Sequence, residues 1–522
     1  MDRRDGKPPE DQQETIAFLA TPAAYGLSNV RIERIDTHIS IVFLAGDKAY
    51  KLKRQVRFDY VDFSTIEARR IACEAEVRIN RRTAPDLYLG VHPVSRTGDG
   101  GLALGGPGAA VDWVVEMRRF DQATLFDRLA DAGQLDVNLM PVLAASIVKL
   151  HAGAERRTDQ GGLEGMRWVI DGNRLGDAEL QAAGVDRNAY EKLCGGTDSA
   201  LAHHAARLES RRCDGFVRHC HGDLHLRNIC LLNGMPTLFD AIEFNDRISC
   251  IDVIYDLAFL LMDLWRSKLT THAARVFNEY CDRLDALDAL ALLPLFLSCR
   301  AAVKAKTSIA AARVQQEPAA AAKLFEHARE YVALAGAFLE ARPPMLIAIG
   351  GFSGSGKTTL ARAIAPFASS CPGARVLRSD VIRKQMFGAD PLQPLSEDAY
   401  GPETSVRVYD AIADQARTTL HAHHSVVADA VFSTAAERFA IERVAREAKV
   451  PFVGLWLDGS AATLVDRVRR RQSDASDATE EVVAMQFARG AGAVEWHRID
   501  ASPGIEAVAR QAESFIAQRS RH

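Results

Sequence analysis

The stretch from Met345 to Thr359 constrains the fold more than any other part of the chain. Its sequence, MLIAIGGFSGSGKTT, places a short apolar run before a glycine-rich loop, and a helix-forming segment follows. Residues without bulky side chains let the backbone wrap closely around phosphate oxygens, and the following helix N-terminus adds N–H donors and a partial positive charge. The stretch therefore predicts a nucleotide phosphate site on a strand–loop–helix unit rather than a flexible linker.

The fixed positions of the loop follow the pattern G-x-x-x-x-G-K-[ST]. Lys357 is expected to reach the β- and γ-phosphates of ATP as a catalytic group, and Thr358 is expected to bind Mg²⁺. The predicted nucleotide contacts are Gly351, Ser353, Gly354, Ser355, Gly356, Lys357, Thr358 and Thr359.

Length and composition bound the kind of protein. A chain of 522 residues is too long for one hydrophobic core, so two or more domains are expected. The net charge of −4 gives no general reason to expect a nucleic-acid partner. The nine cysteines lack a C-x-x-C pair, the N-terminus does not resemble a signal peptide, and the apolar runs are short. These features predict a cytoplasmic protein without a membrane partner, and they leave the oligomeric state open.

A domain boundary is predicted at Arg342-Pro343-Pro344, because Pro-Pro cannot continue the helical segment before it. The chain is accordingly divided into a polar N-terminal segment (1–27), a first domain (28–342) and a second domain (343–522).

In the first domain, alternating apolar residues around a Gly46-Asp47 turn predict a β-hairpin. Lys51 and Lys53 lie two apart on its second strand, so both face the same side. A helix is predicted from Ser64 to Asn80, with a capping box of Ser64 and Glu67.

The segment RHCHGDLHLRNI, followed by LFDAIEF, carries a second set of chemical groups. Asp223 and Asn228 lie five residues apart on a loop, and Asp240 follows a short apolar strand. One carboxylate that takes a hydroxyl proton, together with an amide oxygen and a second carboxylate that hold Mg²⁺, is what phosphoryl transfer requires.

HGDLHLRN followed by a strand ending in Asp resembles the aminoglycoside phosphotransferase family, whose members share the bilobal protein-kinase-like fold. Over residues 28–340 the resemblance implies that Asp223 is the catalytic base and that Asn228 and Asp240 bind metal. It also implies a strand lysine that holds the phosphates, either Lys51 or Lys53, which strand alternation does not distinguish. The implied glutamate partner of that lysine is Glu76, with Glu74 as second choice. The family's glycine turn over the phosphates is missing at residues 36–40.

The second domain alternates strands and helices, which predicts a parallel sheet with helices on both faces and functional groups beyond the carboxyl ends of its strands. The predicted strands are Leu346–Gly350, Arg375–Leu377, Val426–Ala428, Val453–Leu457 and Trp496–Ile499. The groups expected at that edge are Asp380, Arg383 and Asp429. A helix from Ala461 to Arg471 carries four arginines. Two interpretations stay open: a phosphate clamp, for which Arg467 and Arg471 share one helix face, or a solvated basic face.

The glycine loop, the segment SDVIRK, the D-x-x-F at the third strand and the arginines before SDA resemble the small P-loop kinases of the gluconate kinase and zeta-toxin type. This resemblance implies that Asp380 is a catalytic base, that Arg383 binds the acceptor, and that Asp429 serves the acceptor or a metal-bound water. Arg467 and Arg471 would be catalytic if they clamp the phosphoryl group.

The order of the two halves resembles bacterial fusion proteins described as bifunctional aminoglycoside phosphotransferase/ATP-binding proteins. The resemblance implies an ATP-dependent phosphotransferase with two Mg-ATP sites, each acting on a hydroxyl of a small molecule. Two alternatives are an ATP-binding regulatory protein with a degenerate kinase-like front half, and a polynucleotide 5′-kinase. The net acidic chain disfavours the second of these.

Overall fold

The computed structural model describes residues 10–58, 60–284, 286–340, 342–470, 475–502 and 504–519. Its contacts divide the chain into two compact units. The front unit consists of Met1–Trp168 with Ala205–Leu260, and the rear unit consists of Val169–His204 with Leu261–His522. Within the described ranges, no helix combines the length and the apolar composition that crossing a membrane requires.

The strands are, in chain order, β1 (Glu33–Asp36), β2 (Ser40–Ala45), β3 (Lys48–Lys53), β4 (Arg57–Phe58), β5 (Val61–Asp62), β6 (Tyr88–Arg96), β7 (Leu102–Leu104), β8 (Ala110–Arg118), β9 (Val217–His219), β10 (Ile229–Leu232), β11 (Met235–Leu238), β12 (Cys250–Asp252), β13 (Leu346–Gly350), β14 (Arg375–Arg378), β15 (Val426–Asp429), β16 (Phe452–Asp458) and β17 (His497–Asp500).

The helices are α1 (Glu10–Leu19), α2 (Ile66–Asn80), α3 (Phe126–Asp131), α4 (Met140–Gly153), α5 (Gly162–Gly172), α6 (Asp177–Ala183), α7 (Arg187–His203), α8 (Ala205–Cys213), α9 (Asp246–Ser249), α10 (Val253–Arg266), α11 (Thr270–Cys281), α12 (Leu293–Val314), α13 (Pro318–Leu339), α14 (Lys357–Ile364), α15 (Ser379–Met386), α16 (Pro402–His421), α17 (Ala435–Ala448), α18 (Ala461–Arg470), α19 (Glu480–Arg489) and α20 (Ile505–Arg519).

The front unit contains a six-stranded antiparallel sheet with the order β1-β2-β3-β8-β6-β7. The predicted hairpin is its β2–β3 pair, in which Lys51 lies opposite Val42. Cys73 and Val77 of α2 pack with Val115 of β8. This side of the sheet therefore holds α2, and with it Glu76, next to the strand that carries the two lysines.

The predicted capping box of α2 is wrong. The N-cap is Thr65, whose extended backbone lets its Oγ1 accept a hydrogen bond from the N–H of Ala68 at 3.1 Å. Ser64 instead donates its hydroxyl to Asp62 at 2.5 Å. Adjacent hydroxyl residues compete for the cap, and the local turn at Asp62 decides between them.

The rear unit contains a five-stranded parallel sheet with the order β14-β15-β13-β16-β17, as the alternation of strands and helices predicted. Buried residues of β13, β16 and β17 pack with α14 and α20 on one face. Residues of β13 and β15 pack with α16 and α17 on the other. Strands covered on both faces read as nearly continuous apolar runs, which is why the sequence located them well.

Helix α11 covers the edge strand β14 through one buried side chain, Asn278. Its Oδ1 accepts hydrogen bonds from the N–H of Val376 at 2.7 Å and from Nη1 of Arg375 at 3.1 Å. Its Nδ2 donates to the carbonyls of Ala374 at 3.0 Å and Ala274 at 2.9 Å. The amide thus satisfies edge groups that another strand would otherwise pair.

We predict that Asn278→Ala destabilises the rear unit by about 2–3 kcal/mol, because it leaves buried backbone donors and acceptors of β14 without partners. Urea unfolding followed by circular dichroism measures this as a lower transition midpoint. The matched control is Asn188→Ala, since Asn188 is exposed on α7. Equal midpoints for the two variants would contradict the role assigned to Asn278.

Candidate active sites

The front candidate site is centred on the loop between β9 and β10. Nδ2 of Asn228 donates to the carbonyl oxygen and to Oδ2 of Asp223, both at 2.9 Å. Nε2 of His225 lies 3.2 Å from the same Oδ2. These contacts fix the Asp223 carboxylate, whose side chain remains about one third exposed (35%). The arrangement leaves this carboxylate accessible to a hydroxyl group from outside.

Asp256 of α10 also holds this loop in place, through hydrogen bonds to its backbone. Its carboxylate accepts the N–H of Gly222 at 2.9 Å and the N–H of His221 at 3.1 Å, and it lies 3.0 Å from Nε2 of His151. Gly222 has a φ of +84°, a conformation that favours glycine. His221 is buried, with Nε2 2.9 Å from the carbonyl of Phe239. The motif histidine therefore has a structural partner.

A cluster of charged side chains, largely buried except for Asp240, lies beside this loop. Nζ of Lys51 is 2.8 Å from Oε1 of Glu76 and 2.6 Å from Oδ1 of Asp240. Lys53 pairs with Glu76 and Glu243, and its side chain is only 1% exposed. Lys51, at 13%, is more accessible. The structure therefore places Lys51, and not Lys53, next to the predicted metal ligand.

The two candidate glutamates of α2 occupy different environments. Glu76 is completely buried between the two lysines. Glu74 is exposed and pairs with Arg70, 2.6 Å away on the helix surface. Sequence reasoning missed Glu243, because no periodicity marks a carboxylate in an irregular segment. The sequence did offer one signal for Glu243, which is that it follows the predicted metal ligand Asp240 by three residues.

The charged groups of this cluster shift one another's pKa values. Burial raises the pKa of the Glu76 carboxyl, but the ammonium groups of Lys51 and Lys53 outweigh burial and lower this pKa to about 2. The pKa of the Glu243 carboxyl lies above its ordinary value, because the effect of burial exceeds the opposing effect of Lys53. Glu76 is therefore ionised at neutral pH, where it pairs with both lysines.

We predict that Glu76→Gln lowers the free energy of unfolding at pH 7 by about 3 kcal/mol or more, because two buried ammonium groups lose a shared anion. The folded pKa of about 2 lies below the ordinary value of about 4.3. The stability from this carboxylate is thus fully present above about pH 4.3 and is lost as the pH falls toward 2. Urea unfolding at pH 7 and at pH 3 should show the difference between wild type and variant shrinking.

The matched control for this prediction is Glu74→Gln, which alters an exposed pair on the same helix and should change little. A penalty for Glu76→Gln that is the same at both pH values would show that the charge of Glu76 does not stabilise the fold.

The rear candidate site begins at the glycine loop after β13. A β-carbon on Gly351 would lie 2.8 Å from the carbonyl oxygen of Leu457, and one on Gly354 would lie closer still to the carbonyl oxygen of Leu464. The loop is thus packed against β16 and α18 more tightly than any side chain permits. Oγ of Ser355 is buried and has no hydrogen-bond partner within the described residues. A tight loop with an unsatisfied hydroxyl fits a bound phosphate.

The residues around the loop supply a hydroxyl, carboxylates and cations. Oγ1 of Thr358 donates to Oδ2 of Asp429 at 2.6 Å, and Nε of Arg378 lies 3.8 Å from that carboxylate oxygen. Asp380, in the first turn of α15, interacts electrostatically with Lys357, Arg378 and Asp429. Burial raises the pKa of Asp380 above its ordinary value, although Arg378 opposes this. The raised pKa makes Asp380 a better proton acceptor than an exposed aspartate.

The remaining loop residues and Arg383 take the following positions. Nζ of Lys357 donates to the carbonyl of Phe352 at 3.1 Å. Gly356 precedes α14 in a left-handed conformation, and Thr359 is exposed on the first turn of α14.

Arg383 is buried, with Nη1 bonded to the carbonyl of Ala399 at 2.7 Å. Its Nε is also buried and has no hydrogen-bond partner within the described residues.

The arginines of α18 are differently placed. Nη2 of Arg467 donates to the carbonyl of Ala501 at 2.6 Å. Arg469 pairs with Glu480, and Arg470 pairs with Asp466 at 3.0 Å, so these two form an exposed, ion-paired face. The predicted clamp partner of Arg467, Arg471, lies outside the described residues, and the clamp stays a prediction.

Sequence reasoning missed Gln486, which contacts the glycine loop from α19. The N–H of Ser353 donates to Oε1 of Gln486 at 2.8 Å, and Nε2 of Gln486 lies 3.2 Å from Oγ of Ser353. Phe487 packs against Phe352, with ring centroids 5.0 Å apart. No sequence signal marked Gln486, because it is an ordinary helix residue far along the chain from the loop.

Two family models match the chain. The model of the phosphotransferase enzyme family matches residues 68–293, and the model of the AAA domain matches residues 346–491. A protein of Mycobacterium tuberculosis (strain ATCC 25618 / H37Rv), which its name describes as uncharacterized, is 28% identical over 506 residues. The match covers 91% of this chain and 94% of that protein.

Solved structures match each half at low similarity. A gluconokinase from Sinorhizobium meliloti 1021 is 22% identical with a TM-score of 0.25, over 34% of this chain and 95% of that chain. A choline/ethanolamine kinase family protein from Mesorhizobium loti is 14% identical with a TM-score of 0.36, over 63% of this chain and 99% of that chain. The family matches agree with both resemblances: residues 68–293 match the phosphotransferase enzyme family, and residues 346–491 match the AAA domain.

Proposed function

We propose that the chain is an ATP-dependent phosphotransferase with two Mg-ATP sites, each transferring a γ-phosphoryl group to a hydroxyl of a small molecule. The observation that carries the proposal is common to both halves. Each contains an aspartate able to take a proton, a lysine, and oxygen ligands suited to Mg²⁺. In the front unit Asn228 hydrogen-bonds the Asp223 carboxylate, and Lys51 pairs with Asp240. In the rear unit Asp380 interacts with Lys357 and Asp429.

In the front site, Asp223 orients the acceptor hydroxyl and takes its proton. The amide oxygen of Asn228 and the carboxylate of Asp240 would hold Mg²⁺, which neutralises phosphate charge when bound. Lys51 would contact the phosphates, and Glu76 fixes its direction from the opposite side. Lys53 is too enclosed for that role, so we assign it to holding Glu76 and Glu243 in place.

In the rear site, the glycine loop and Lys357 would hold the phosphates, and the hydroxyl of Thr358 would bind Mg²⁺. Asp380 accepts the proton of the acceptor hydroxyl. Arg383, whose buried Nε has no hydrogen-bond partner within the described residues, would bind the acceptor. Asp429, which accepts the Thr358 hydroxyl, would serve the acceptor or a water held by the metal. Arg467, with Arg471, would neutralise the transferring group.

We predict that Asp223→Asn lowers kcat of the front site by about 10²–10⁴-fold, and that Asp380→Asn does the same for the rear site, because each loses its proton acceptor. The measurement is ADP release from purified protein with Mg-ATP, against a panel of sugars, sugar acids, aminoglycosides and nucleosides. An acceptor whose phosphorylation is lost in only one variant is assigned to that half. The matched control is Asp198→Asn, which alters an exposed pair with Arg174 on α7.

The same experiment distinguishes the proposed phosphotransferase from the alternative, an ATP-binding regulatory protein. ADP release that no acceptor stimulates, that survives both aspartate substitutions and that disappears only in Lys357→Ala would contradict a pair of phosphotransferase sites. It would favour an ATP-binding switch in the rear unit.

A further inference from the structure

The segment from Ala475 to Asp477 lies directly against the rear candidate site. Ala475 is buried at 2% exposure. The Asp477 carboxylate accepts hydrogen bonds from Nζ of Lys384 at 3.1 Å, from the N–H of Leu395 at 3.2 Å, and from the hydroxyl of Tyr400. Three donors from α15 and the chain that follows it therefore fasten this segment in place.

These anchors bring the neighbouring residue, Ser476, to the proposed catalytic base. Asp380 and Lys384 are four residues apart on α15 and so lie on one face of that helix. Asp477 pairs with Lys384 on that face, and Ser476 is the residue directly before Asp477. The hydroxyl of Ser476 hydrogen-bonds the side chain of Asp380.

A hydroxyl donated to Asp380 occupies the position that phosphoryl transfer requires of an acceptor. The Asp380 carboxylate also interacts with Lys357, which is assigned to the phosphates. It interacts as well with Asp429, which accepts the hydroxyl of the predicted metal ligand Thr358. An ordinary structural serine satisfies a buried acceptor anywhere in a fold. This serine does so at a carboxylate that interacts with Lys357 of the phosphate loop.

We propose that Ser476 is an autophosphorylation site of the rear unit, and this inference rests on the proposed function of Asp380 and Lys357. Oγ of Ser476 forms a bond to the γ-phosphorus of ATP, the bond from that phosphorus to the β,γ-bridging oxygen breaks, and ADP leaves. The hydroxyl proton passes to Asp380. The products are ADP and phosphoserine at position 476, so atoms and charge balance with ATP as the only co-substrate.

After phosphorylation of Ser476, the segment from Ala475 to Asp477 cannot keep the contacts that it makes in the unphosphorylated chain. Phosphoserine carries about −1.5 to −2 charges at pH 7, and it would lie beside the carboxylates of Asp380 and Asp477. Repulsion from both should detach the segment from α15 and open the base to an external acceptor. In the unphosphorylated chain the Ser476 hydroxyl occupies the acceptor position beside Asp380. Phosphorylation of Ser476 would free that position for an external acceptor.

The test is to incubate the full-length protein with Mg-ATP labelled in the γ-phosphate and no acceptor, then to measure intact mass and map the labelled peptide. We expect one phosphate per chain on Ser476, no label in Ser476→Ala, and no label in Lys357→Ala. Ser476→Thr retains a hydroxyl and should restore labelling, which excludes a folding defect as the cause of the loss. The matched control Ser396→Ala, at an exposed serine next to Leu395, should keep the label.

Several outcomes would overturn the inference without touching the proposed function. One is acceptor phosphorylation that depends on Asp380 in a wild type that never takes up label. Another is label on a different residue, and a third is label that survives Lys357→Ala but is lost in Asp223→Asn. Failure of the proposed function itself gives a different result, namely neither label nor acceptor-stimulated ADP release in any variant.

Discussion

Both candidate sites depend on carboxylates that are withdrawn from water next to cations, and the balance between burial and pairing gives each carboxylate its role. Glu76 has two ammonium groups within ion-pair distance, so its pKa falls to about 2 and it stays charged. Asp380 is partly buried; its nearby cations do not compensate for that burial, and its pKa rises. The first group is therefore suited to holding lysines in position, and the second to taking a proton.

The rear unit shows that contacts do not follow the order of the chain. Helix α11 lies in the part of the sequence that the phosphotransferase family model matches, yet its Asn278 completes the edge of the parallel sheet. Asp282 beyond the helix adds an ion pair with Arg375 at 2.6 Å. The edge strand β14 leads directly into α15 and Asp380, so these contacts also support the position of the proposed base. A truncated chain that begins at residue 343 would lose them.

Sequence patterns predicted the elements whose chemistry is local. The glycine loop, the five parallel strands and the β2–β3 hairpin each follow from neighbouring residues, and the structure contains all of them. Partners that come together only on folding were not predictable. Alternation placed Lys51 and Lys53 on one face of a strand, but their separation into an accessible and an enclosed lysine depends on Asp240 and Glu243, nearly two hundred residues away. Gln486 was missed for the same reason.

The two sites differ in what stands between their aspartates and an acceptor. Asp223 is held by groups of its own loop, Asn228 and His225, and its side chain remains accessible. Asp380 is approached by a segment from elsewhere in the chain, fastened through Asp477 to Lys384. An external hydroxyl can therefore reach the front aspartate with the chain as it stands. At the rear aspartate it competes with the hydroxyl of Ser476, which already hydrogen-bonds the side chain of Asp380. If both sites transfer phosphoryl groups, movement of that segment is a step that the rear reaction has and the front reaction lacks.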